Sequence, residues 1–345
     1  MKKSEFENDY QKVIGHSLIC DKLRQAVKNK RTVSAYLLSG PAGIGKKTIC
    51  RAFAAALLCE NPIEGAACGG CVSCRLLAAE SHPDLIRLGL PADKKSIGVE
   101  LVREKLIKEA AIRPFTAQRK VFVVEAGEAM TPEAQNALLK VLEEPPQYVV
   151  FIILAAAQSS LLETVLSRSL KLQLLPLSAT LCQSYFSQKT EGTPQRRELA
   201  ASFSQGILGR GERMLTDDAF YELYQKTVAK LAQLPQSRAT LSEMLQFLTE
   251  NKGQIEDITD FMLLFLRDCL RFSAAKNTKL ILSDQKAVVQ GFAAAVSSRG
   301  LVHMTEAVIK YRERLKKNAS FAVAGLVLLT KMQEEIHDKG SRNPF

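Results

Sequence analysis

Apolar residues form short unbroken runs in the first half of the chain, and the segments between these runs repeat apolar residues at a helical period. Unbroken apolar runs are typical of strands that are buried on both faces of a parallel sheet. The strand-like segments lie at residues 36–38, 84–88, 120–125, 148–157 and 170–175, and polar residues interrupt the apolar residues at 84–88 and 170–175. Because strands and helices alternate, the pattern predicts four or five parallel strands, covered by helices on both faces of the sheet.

The pattern changes after Pro176. A short helical segment is interrupted by the polar loop 188–194 and is closed by Gly206, Gly209 and Gly211. The rest of the chain keeps a helical period, with an apolar face that is interpreted as the core of a helical bundle. The remaining breaks in the helical pattern fall near residues 235, 251–253, 276–277 and 299–300. The sequence therefore predicts an α/β domain over 1–178, a small helical domain over 179–212 and an all-helical domain over 213–345.

A glycine-rich loop follows the first predicted strand, and an alanine-rich helical pattern follows the loop. The glycines and the lysine have the spacing of a P-loop, in which backbone N–H groups and a lysine hold phosphates. The candidate nucleotide-binding residues are Gly40, Pro41, Gly43, Gly45, Lys46, Lys47, Thr48 and Glu125. The cofactor expected here is ATP or ADP, with or without Mg²⁺. A glycine-rich turn without a ligand is the alternative.

One position of this loop departs from the motif. A P-loop carries Ser or Thr directly after its lysine, because the hydroxyl ligates Mg²⁺. Here the residue is Lys47. Thr48 should point away from the metal, because consecutive residues of a helix lie about 100° apart. The sequence therefore predicts a loop that holds phosphates but handles Mg²⁺ poorly.

A second departure follows the predicted strand at 120–125. In P-loop NTPases the acid at such a strand end holds Mg²⁺, and an adjacent acid polarises the attacking water. Glu125 can take the first role, but Ala126 stands where the second acid is needed. Glu128 is expected not to reach the γ-phosphate unless the chain bulges. The predicted site therefore lacks a residue that orients water.

Four cysteines occur within sixteen positions, as Cys59, Cys68, Cys71 and Cys74. Two overlapping Cys-x2-Cys pairs and a fourth thiolate match a tetrahedral zinc site, and disulfides are rare in a cytosolic chain. Since protein would fill all four positions, the zinc is expected to be structural. Redox chemistry is the alternative. Nearby His82 is interpreted as a turn residue.

Composition indicates the compartment more clearly than the partner. Charged residues make up 24% of the chain, which argues against disorder. The net charge of +11 is spread over both halves, so it is compatible with nucleic acid and equally with an ordinary solvated surface. The first residues show no apolar signal segment, and the longest apolar run is too short to cross a bilayer. A cytoplasmic protein is expected.

Together these motifs resemble the clamp-loader subunits of bacterial DNA polymerase III, which are AAA+ ATPases. The segments that carry the resemblance are the loop at 40–46, the four cysteines, His82-Pro83-Asp84, the block NALLKVLEEPP at 136–146 and LSRS at 166–169. The resemblance covers residues 10–215, and the helical tail only by its architecture. It implies an AAA+ P-loop sheet domain with a zinc module at 59–74, a helical lid and an all-α collar that assembles the complex.

Within this family the gamma/tau subunits hydrolyse ATP and the delta prime subunits do not. The chain departs from the hydrolysing members at Lys47, at Ala126 and at Ala156, where they carry a threonine that senses the γ-phosphate. The nearest match to the sensing arginine of the lid is Gly209, beside Arg210. The resemblance therefore implies a subunit that does not hydrolyse ATP, or does so very weakly.

The resemblance also assigns two arginines. Arg168 matches the arginine of the family's Ser-Arg-Cys motif, which reaches the nucleotide of the neighbouring subunit; here Ser169 replaces the cysteine. The alternative is that Arg168 caps its own helix. Arg103 lies where the helix of the family faces DNA, so Arg103 is expected to contact a phosphate, with Lys105 beside it.

The partners implied by the family are the gamma/tau and delta subunits in a hetero-oligomeric ring or spiral. Through that complex the chain would meet the sliding clamp and primer-template DNA, and no membrane is involved. Two other functions stay open. One is an active clamp-loading ATPase that uses Glu128 or Thr48. The other is a zinc-stabilised single-strand binder, which the absence of Trp and an aromatic content of 6% support poorly.

Overall fold

A computed structural model describes residues 10–235, 239–276 and 279–341. These residues form two compact units. The first contains the chain up to Leu181 together with Gly206–Gly209, and the second contains Cys182–Gln205 and the chain from Arg210 onward. Two parts of the sequence analysis lie outside the described residues: the first nine residues, where no apolar signal segment is expected, and the helix break at Asn277.

The first unit is built on a five-stranded sheet in which every pairing is parallel. The strands are β1 (Ala35–Ser39), β2 (Leu85–Leu88), β3 (Lys120–Val124), β4 (Val149–Ala155) and β5 (Leu170–Gln173). Their order across the sheet is β2-β3-β4-β1-β5. The strands lie where the apolar runs predict them.

Helices cover both faces of this sheet. They are α1 (Ser17–Lys28), α2 (Lys46–Leu58), α3 (Val72–Ala78), α4 (Val99–Val102), α5 (Pro132–Glu143) and α6 (Glu163–Ser167). Alternate residues of a strand contact separate apolar clusters: Leu38 belongs to one cluster and Leu37 to the other. This burial on both sides explains why the central strands read as unbroken apolar runs.

Three local features shape the elements of the first unit. Thr131 caps α5 by accepting a hydrogen bond from the backbone of Ala134, with Pro132 at the first helical position. The helix α4 continues as a π-helix over Arg103–Lys108. Gly127–Ala129 form a 3₁₀ turn after β3.

Helices account for the second unit, and its described residues include no strand. They are α7 (Ala179–Ser187), α8 (Pro194–Ser204), α9 (Leu208–Thr216), α10 (Asp218–Gln233), α11 (Ala239–Glu250), α12 (Ile255–Ala274), α13 (Lys286–Ala295), α14 (Ser298–Lys316) and α15 (Phe321–Ser341), of which α7 and α9 begin in the first unit. Their buried apolar residues form the bundle core that the helical period predicts.

Two glycines that were expected to close a helical segment lie inside α9 instead. A Cβ atom on Gly211 would lie 2.4 Å from the ring of Phe186. A Cβ atom on Gly209 would lie 2.8 Å from the Cα of Gly43. These glycines therefore permit close packing and do not end the helix.

No helix within the described ranges is long and apolar enough to cross a membrane.

Candidate functional site

The P-loop and the acidic strand end meet at the carboxyl edge of the sheet. The loop follows β1, Glu125 follows β3 and Ala156 follows β4. Because all strands are parallel, these segments lie along one edge, which is where ligands bind in open α/β sheets. The topology therefore gathers the candidate nucleotide-binding residues into one place.

The glycine loop turns into α2 at Gly45. Gly45 adopts φ 108° directly before α2, a left-handed conformation that favours glycine. Lys46 folds back over the loop, and its ammonium donates hydrogen bonds to the carbonyls of Gly40 and Pro41, the latter at 2.9 Å. Burial lowers the pKa of Lys46, and the charge of Glu128 opposes this change. In this structure the Lys46 ammonium therefore contacts carbonyl groups of the loop itself.

Lys47, at the position of the metal-binding hydroxyl, is paired with the acid at the end of β3. Its Nζ atom lies 2.9 Å from Oε2 of Glu125. Thr48 is exposed on the first turn of α2. Sequence reasoning identified Lys47 as a departure but did not predict its contact with Glu125, which is 78 positions away along the chain.

Glu128 lies on the 3₁₀ turn after β3, and its carboxylate accepts a hydrogen bond from the backbone N–H of Ala156 at 3.2 Å. The resemblance aligns Ala156 with a threonine that senses the γ-phosphate. The carboxylate also acts electrostatically on Lys46. Glu128 therefore lies near enough to influence the lysine of the loop, whereas Ala126 offers no functional side chain.

Two further residues contact the loop. The ring nitrogen Nε2 of His16 lies 3.3 Å from the carbonyl oxygen of Ile44, and burial lowers the pKa of His16. The backbone N–H of Gly209 donates to the carbonyl of Gly43 at 3.0 Å. The sequence analysis did not assign His16 to the site. The sequence feature that could have pointed to His16 is its position at the end of the Val13-Ile14-Gly15-His16 run, directly before α1.

The four clustered cysteines form a second candidate site, between the end of α2 and the start of α3. Cys59 is the C-cap residue of α2, and Cys71 is the N-cap residue of α3. Their thiols are free, and the four sulfur atoms lie within 4.8 Å of one another. Close packing of four thiols in one place needs an explanation beyond ordinary core packing.

The sulfur positions fit a tetrahedral metal. Zn–S bonds of about 2.3 Å place the ligand sulfurs about 3.8 Å apart. The measured separations are 3.8 Å for Cys59 and Cys74, 3.9 Å for Cys59 and Cys71, and 4.0 Å for Cys68 and Cys74. Backbone N–H groups of Cys68 and Cys74 point at the sulfurs of Cys59 and Cys71. The donor set therefore matches what a structural zinc ion requires.

Arg168 is the C-cap residue of α6, and its guanidinium contacts Thr164, Ser167 and Glu143. Its Nη1 atom donates to the carbonyl of Thr164 at 3.1 Å, and its Nη2 atom lies 2.7 Å from Oε1 of Glu143. The side chain remains 36% exposed. It therefore caps its own helix and also presents a guanidinium to solvent.

Arg103 begins the π-helix and is 58% exposed. It pairs with Glu100 on the same helical segment at 3.1 Å. Lys105 is also exposed. An exposed pair of this kind is weak, so the guanidinium can exchange Glu100 for another anion.

Two family models match the chain. One, described as "DNA polymerase III, delta subunit", matches residues 15–178 and so contains the P-loop, the cysteine cluster and Arg168. The other, "DNA polymerase III, delta subunit, C terminal", matches residues 218–332 within the helical unit. Together the two models match most of the chain, so the chain belongs to the DNA polymerase III delta-subunit family that they describe. The fold class predicted for an AAA+ member, a parallel P-loop sheet followed by helices, is confirmed.

Curated relatives of the chain include both delta' and tau/gamma subunits of DNA polymerase III. The DNA polymerase III subunit delta' of Pseudomonas aeruginosa is 44% identical over 41% of this chain and 43% of the relative. The tau/gamma subunit of Haemophilus influenzae is 34% identical over 60% of this chain and 30% of the relative. The delta' subunit of Bacillus subtilis is 26% identical over 90% and 94% of the two chains. The chain thus spans less than half the length of the first two.

Among solved structures, a gamma subunit-related protein of Thermotoga maritima matches with a TM-score of 0.45 and 16% identity, over 92% of this chain and 99% of that one.

Proposed function

We propose that this chain is a clamp-loader subunit that does not hydrolyse ATP itself and that completes the ATP site of a neighbouring subunit with Arg168. The reaction it serves is the loading of the sliding clamp onto primed DNA. Family membership supports the clamp-loader role. The proposal has two parts: the chain's own nucleotide site does not hydrolyse ATP, and its Arg168 acts at the site of a neighbouring subunit. Separate observations support each part.

The observation that carries the proposal is the position of Arg168 at the amino edge of the sheet. Leu170, just after it, pairs with Tyr36 near the start of β1. The P-loop follows the other end of β1, so at about 3.3 Å per residue it begins roughly 13 Å farther along. Arg168 therefore cannot serve the phosphate loop of its own chain. If it acts on a nucleotide, that nucleotide belongs to another subunit.

The residues of the phosphate site support the proposal that the chain does not hydrolyse ATP itself. Lys47 replaces the metal-binding hydroxyl and pairs with Glu125. Ala126 replaces the acid that would orient water, and Ala156 replaces the γ-phosphate sensor. Each of these groups contributes to phosphoryl transfer by positioning or electrostatics, so their combined loss favours a site without turnover.

The decisive experiment reconstitutes the chain with gamma/tau and delta subunits and compares wild type with Arg168→Ala. A finger arginine is worth roughly 10³ or more in rate at the site that it faces. The DNA-stimulated ATPase rate of the complex should therefore fall by the amount that the neighbouring subunit's site contributes. Arg168→Lys should rescue little, because an ammonium cannot reproduce the planar fork of a guanidinium.

Lys171→Ala is the matched control, because it removes an exposed cation from the adjacent strand β5. Its complex should keep the wild-type rate. Gel filtration shows whether each variant still assembles. Assembly distinguishes the loss of the arginine at the neighbouring site from a structural effect of losing the C-cap of α6. Equal ATPase rates for wild type and Arg168→Ala in assembled complexes would refute the assignment.

The contact between Glu128 and Ala156 favours a second candidate function, an active clamp-loading ATPase. The Glu128 carboxylate contacts Ala156 and acts electrostatically on Lys46, as a displaced catalytic acid would. The purified chain would then release phosphate from ATP in the presence of Mg²⁺, and Glu128→Gln would abolish this release. The favoured function predicts no turnover in either protein.

The remaining assignments belong to the same proposal. The cysteine cluster would hold one structural zinc ion, residues 179–212 would act as a lid, and residues 213–345 would form the collar that meets gamma/tau and delta. Arg103 would contact DNA inside the assembled complex. A cytoplasmic location agrees with this role.

A further inference from the structure

The first turn of α2 and the end of β3 carry an ion pair that a P-loop does not need. Nζ of Lys47 lies 2.9 Å from Oε2 of Glu125, and the two side chains are 66% and 28% exposed. In a P-loop NTPase the equivalent positions supply a hydroxyl and a carboxylate to Mg²⁺. Here a cation of the protein itself contacts the carboxylate that the metal would use.

Mg²⁺ does not fit this arrangement. It requires oxygen ligands in near-ideal octahedral geometry, but the hydroxyl is missing and the charge of Glu125 is balanced by Lys47. The pair lines a small cavity, to which Arg51 and Arg87 also contribute. Arg87 pairs with Glu80 at 3.6 Å, but among the described residues that line the cavity three cations still face one carboxylate. A divalent cation would meet repulsion there.

We propose that Lys47 takes the place of the divalent cation, so that this P-loop binds a nucleoside di- or triphosphate without metal. An ammonium has three donors, enough to contact Glu125 and phosphate oxygens at once. Lys46 would exchange the carbonyls of Gly40 and Pro41 for phosphate oxygens. Because the Lys47 side chain is 66% exposed and ion pairs at the surface contribute little to stability, Lys47 can turn toward a ligand at little cost.

This inference rests on the proposed function only in that the chain's own site does not hydrolyse ATP, and it adds which form of the nucleotide the site recognises. An ordinary P-loop prefers the Mg²⁺ complex of its nucleotide, whereas this site would prefer the free polyanion. Added Mg²⁺ would compete with Lys47 for the same phosphate oxygens.

The test is a titration of the isolated chain with a fluorescent ADP analogue, in EDTA and in excess Mg²⁺. The wild type should bind in EDTA, and Mg²⁺ should not tighten the binding. Lys47→Thr restores the hydroxyl of the motif and removes the cation. It should bind about tenfold more weakly in EDTA, equivalent to about 1.4 kcal/mol, and Mg²⁺ should recover the loss.

Two further variants serve as controls. Lys22→Thr removes an exposed lysine of α1 and should behave as the wild type. Glu125→Gln frees Lys47 and should retain binding in EDTA. The proposal is overturned if Mg²⁺ tightens binding by the wild type, if the wild type binds in neither buffer, or if Lys47→Thr matches the wild type in EDTA. Because the assay uses the chain alone, its result is independent of the reconstituted ATPase assay of Arg168.

Discussion

Asp84 shows how one residue of a functional-looking motif can serve the fold. It closes the His82-Pro83-Asp84 motif just before β2, and it is fully buried. Its carboxylate accepts hydrogen bonds from the backbone N–H groups of Phe115, Thr116 and Ala117 at 2.6–2.9 Å, and from the Thr116 hydroxyl at 3.0 Å. The motif therefore fixes the loop that leads into β3.

These donors also set the ionisation of Asp84. Burial alone would raise the pKa of the carboxyl, but the N–H groups of Ala117, Phe115 and Thr116 outweigh burial and hold the pKa of Asp84 below its usual range. A lowered pKa in the folded state means that the ionised group stabilises the fold. This contribution is complete above the pKa of the unfolded chain, about 3.9, and is lost as the pH falls through the lower folded pKa.

We expect Asp84→Asn to lower the free energy of unfolding by about 3 kcal/mol at pH 7, because an amide cannot accept all of these hydrogen bonds. Near pH 2 to 3 the difference from wild type should shrink, since a protonated aspartic acid resembles asparagine. Urea unfolding at the two pH values measures both quantities. Asp93→Asn, at an exposed position, should change neither. A pH-independent difference would show that ionisation of Asp84 does not stabilise the fold.

At the scale of elements, the cysteine cluster joins the end of α2 to the start of α3. The helix α3 has only seven residues, and helices this short gain little stability by themselves. A metal held by Cys59 and Cys71 would fix both helix ends at once. It would also stabilise the segment between the helices, where Gly65 approaches the backbone of Arg24 so closely that a Cβ atom would lie 2.0 Å from its carbonyl oxygen.

The purified chain should therefore contain one zinc ion, measured by atomic absorption. Removing zinc with a chelator should lower the melting temperature by about 5–10 °C, as expected for a tightly bound ligand in a unit of this size. Cys71→Ser should lose the metal and show the same lower melting temperature. Cys182→Ala, which removes a buried thiol of the second unit, should keep the zinc. A metal-free chain that melts at the temperature of the metal-loaded one would exclude a structural role.

Sequence reasoning succeeded where the signal is local. The sheet follows from apolar runs that are buried on both faces, and the P-loop and the cysteine cluster each lie within sixteen consecutive residues, so their residues are close together in any fold. It could not find contacts made between distant segments. The pair of Lys47 with Glu125 and the pair of Arg168 with Glu143 depend on the order of strands in the sheet.

The prediction that Gly209 and Gly211 end a helical segment was wrong for a related reason. A glycine in a sequence is read as a break because it lacks helical propensity. Gly209 and Gly211 instead lie inside α9, where neighbouring atoms leave no room for a Cβ atom. Only the three-dimensional packing distinguishes a glycine that ends a helix from one that permits contact.

At the scale of the whole molecule, a net charge of +11 is spread over both halves of the chain and forms no basic arm. Such a diffuse charge attracts a polyanion weakly and without a fixed orientation. Specific contact with DNA therefore requires particular exposed cations. Arg103 is the candidate, because its guanidinium is exposed and its pairing with Glu100 is a weak surface contact.

In the reconstituted complex, Arg103→Ala should weaken binding to primed DNA and reduce the slope of log K against log salt concentration by about one, because each phosphate contact releases about one counterion. The loss should be similar for different DNA sequences, since a phosphate contact carries no base information. Fluorescence anisotropy over a range of salt concentrations measures the slope. Lys226→Ala removes another exposed cation, 65% exposed and paired on its own helix, and it should leave the slope unchanged. If Arg103→Ala and Lys226→Ala give the same slope as the wild type, Arg103 does not contact DNA.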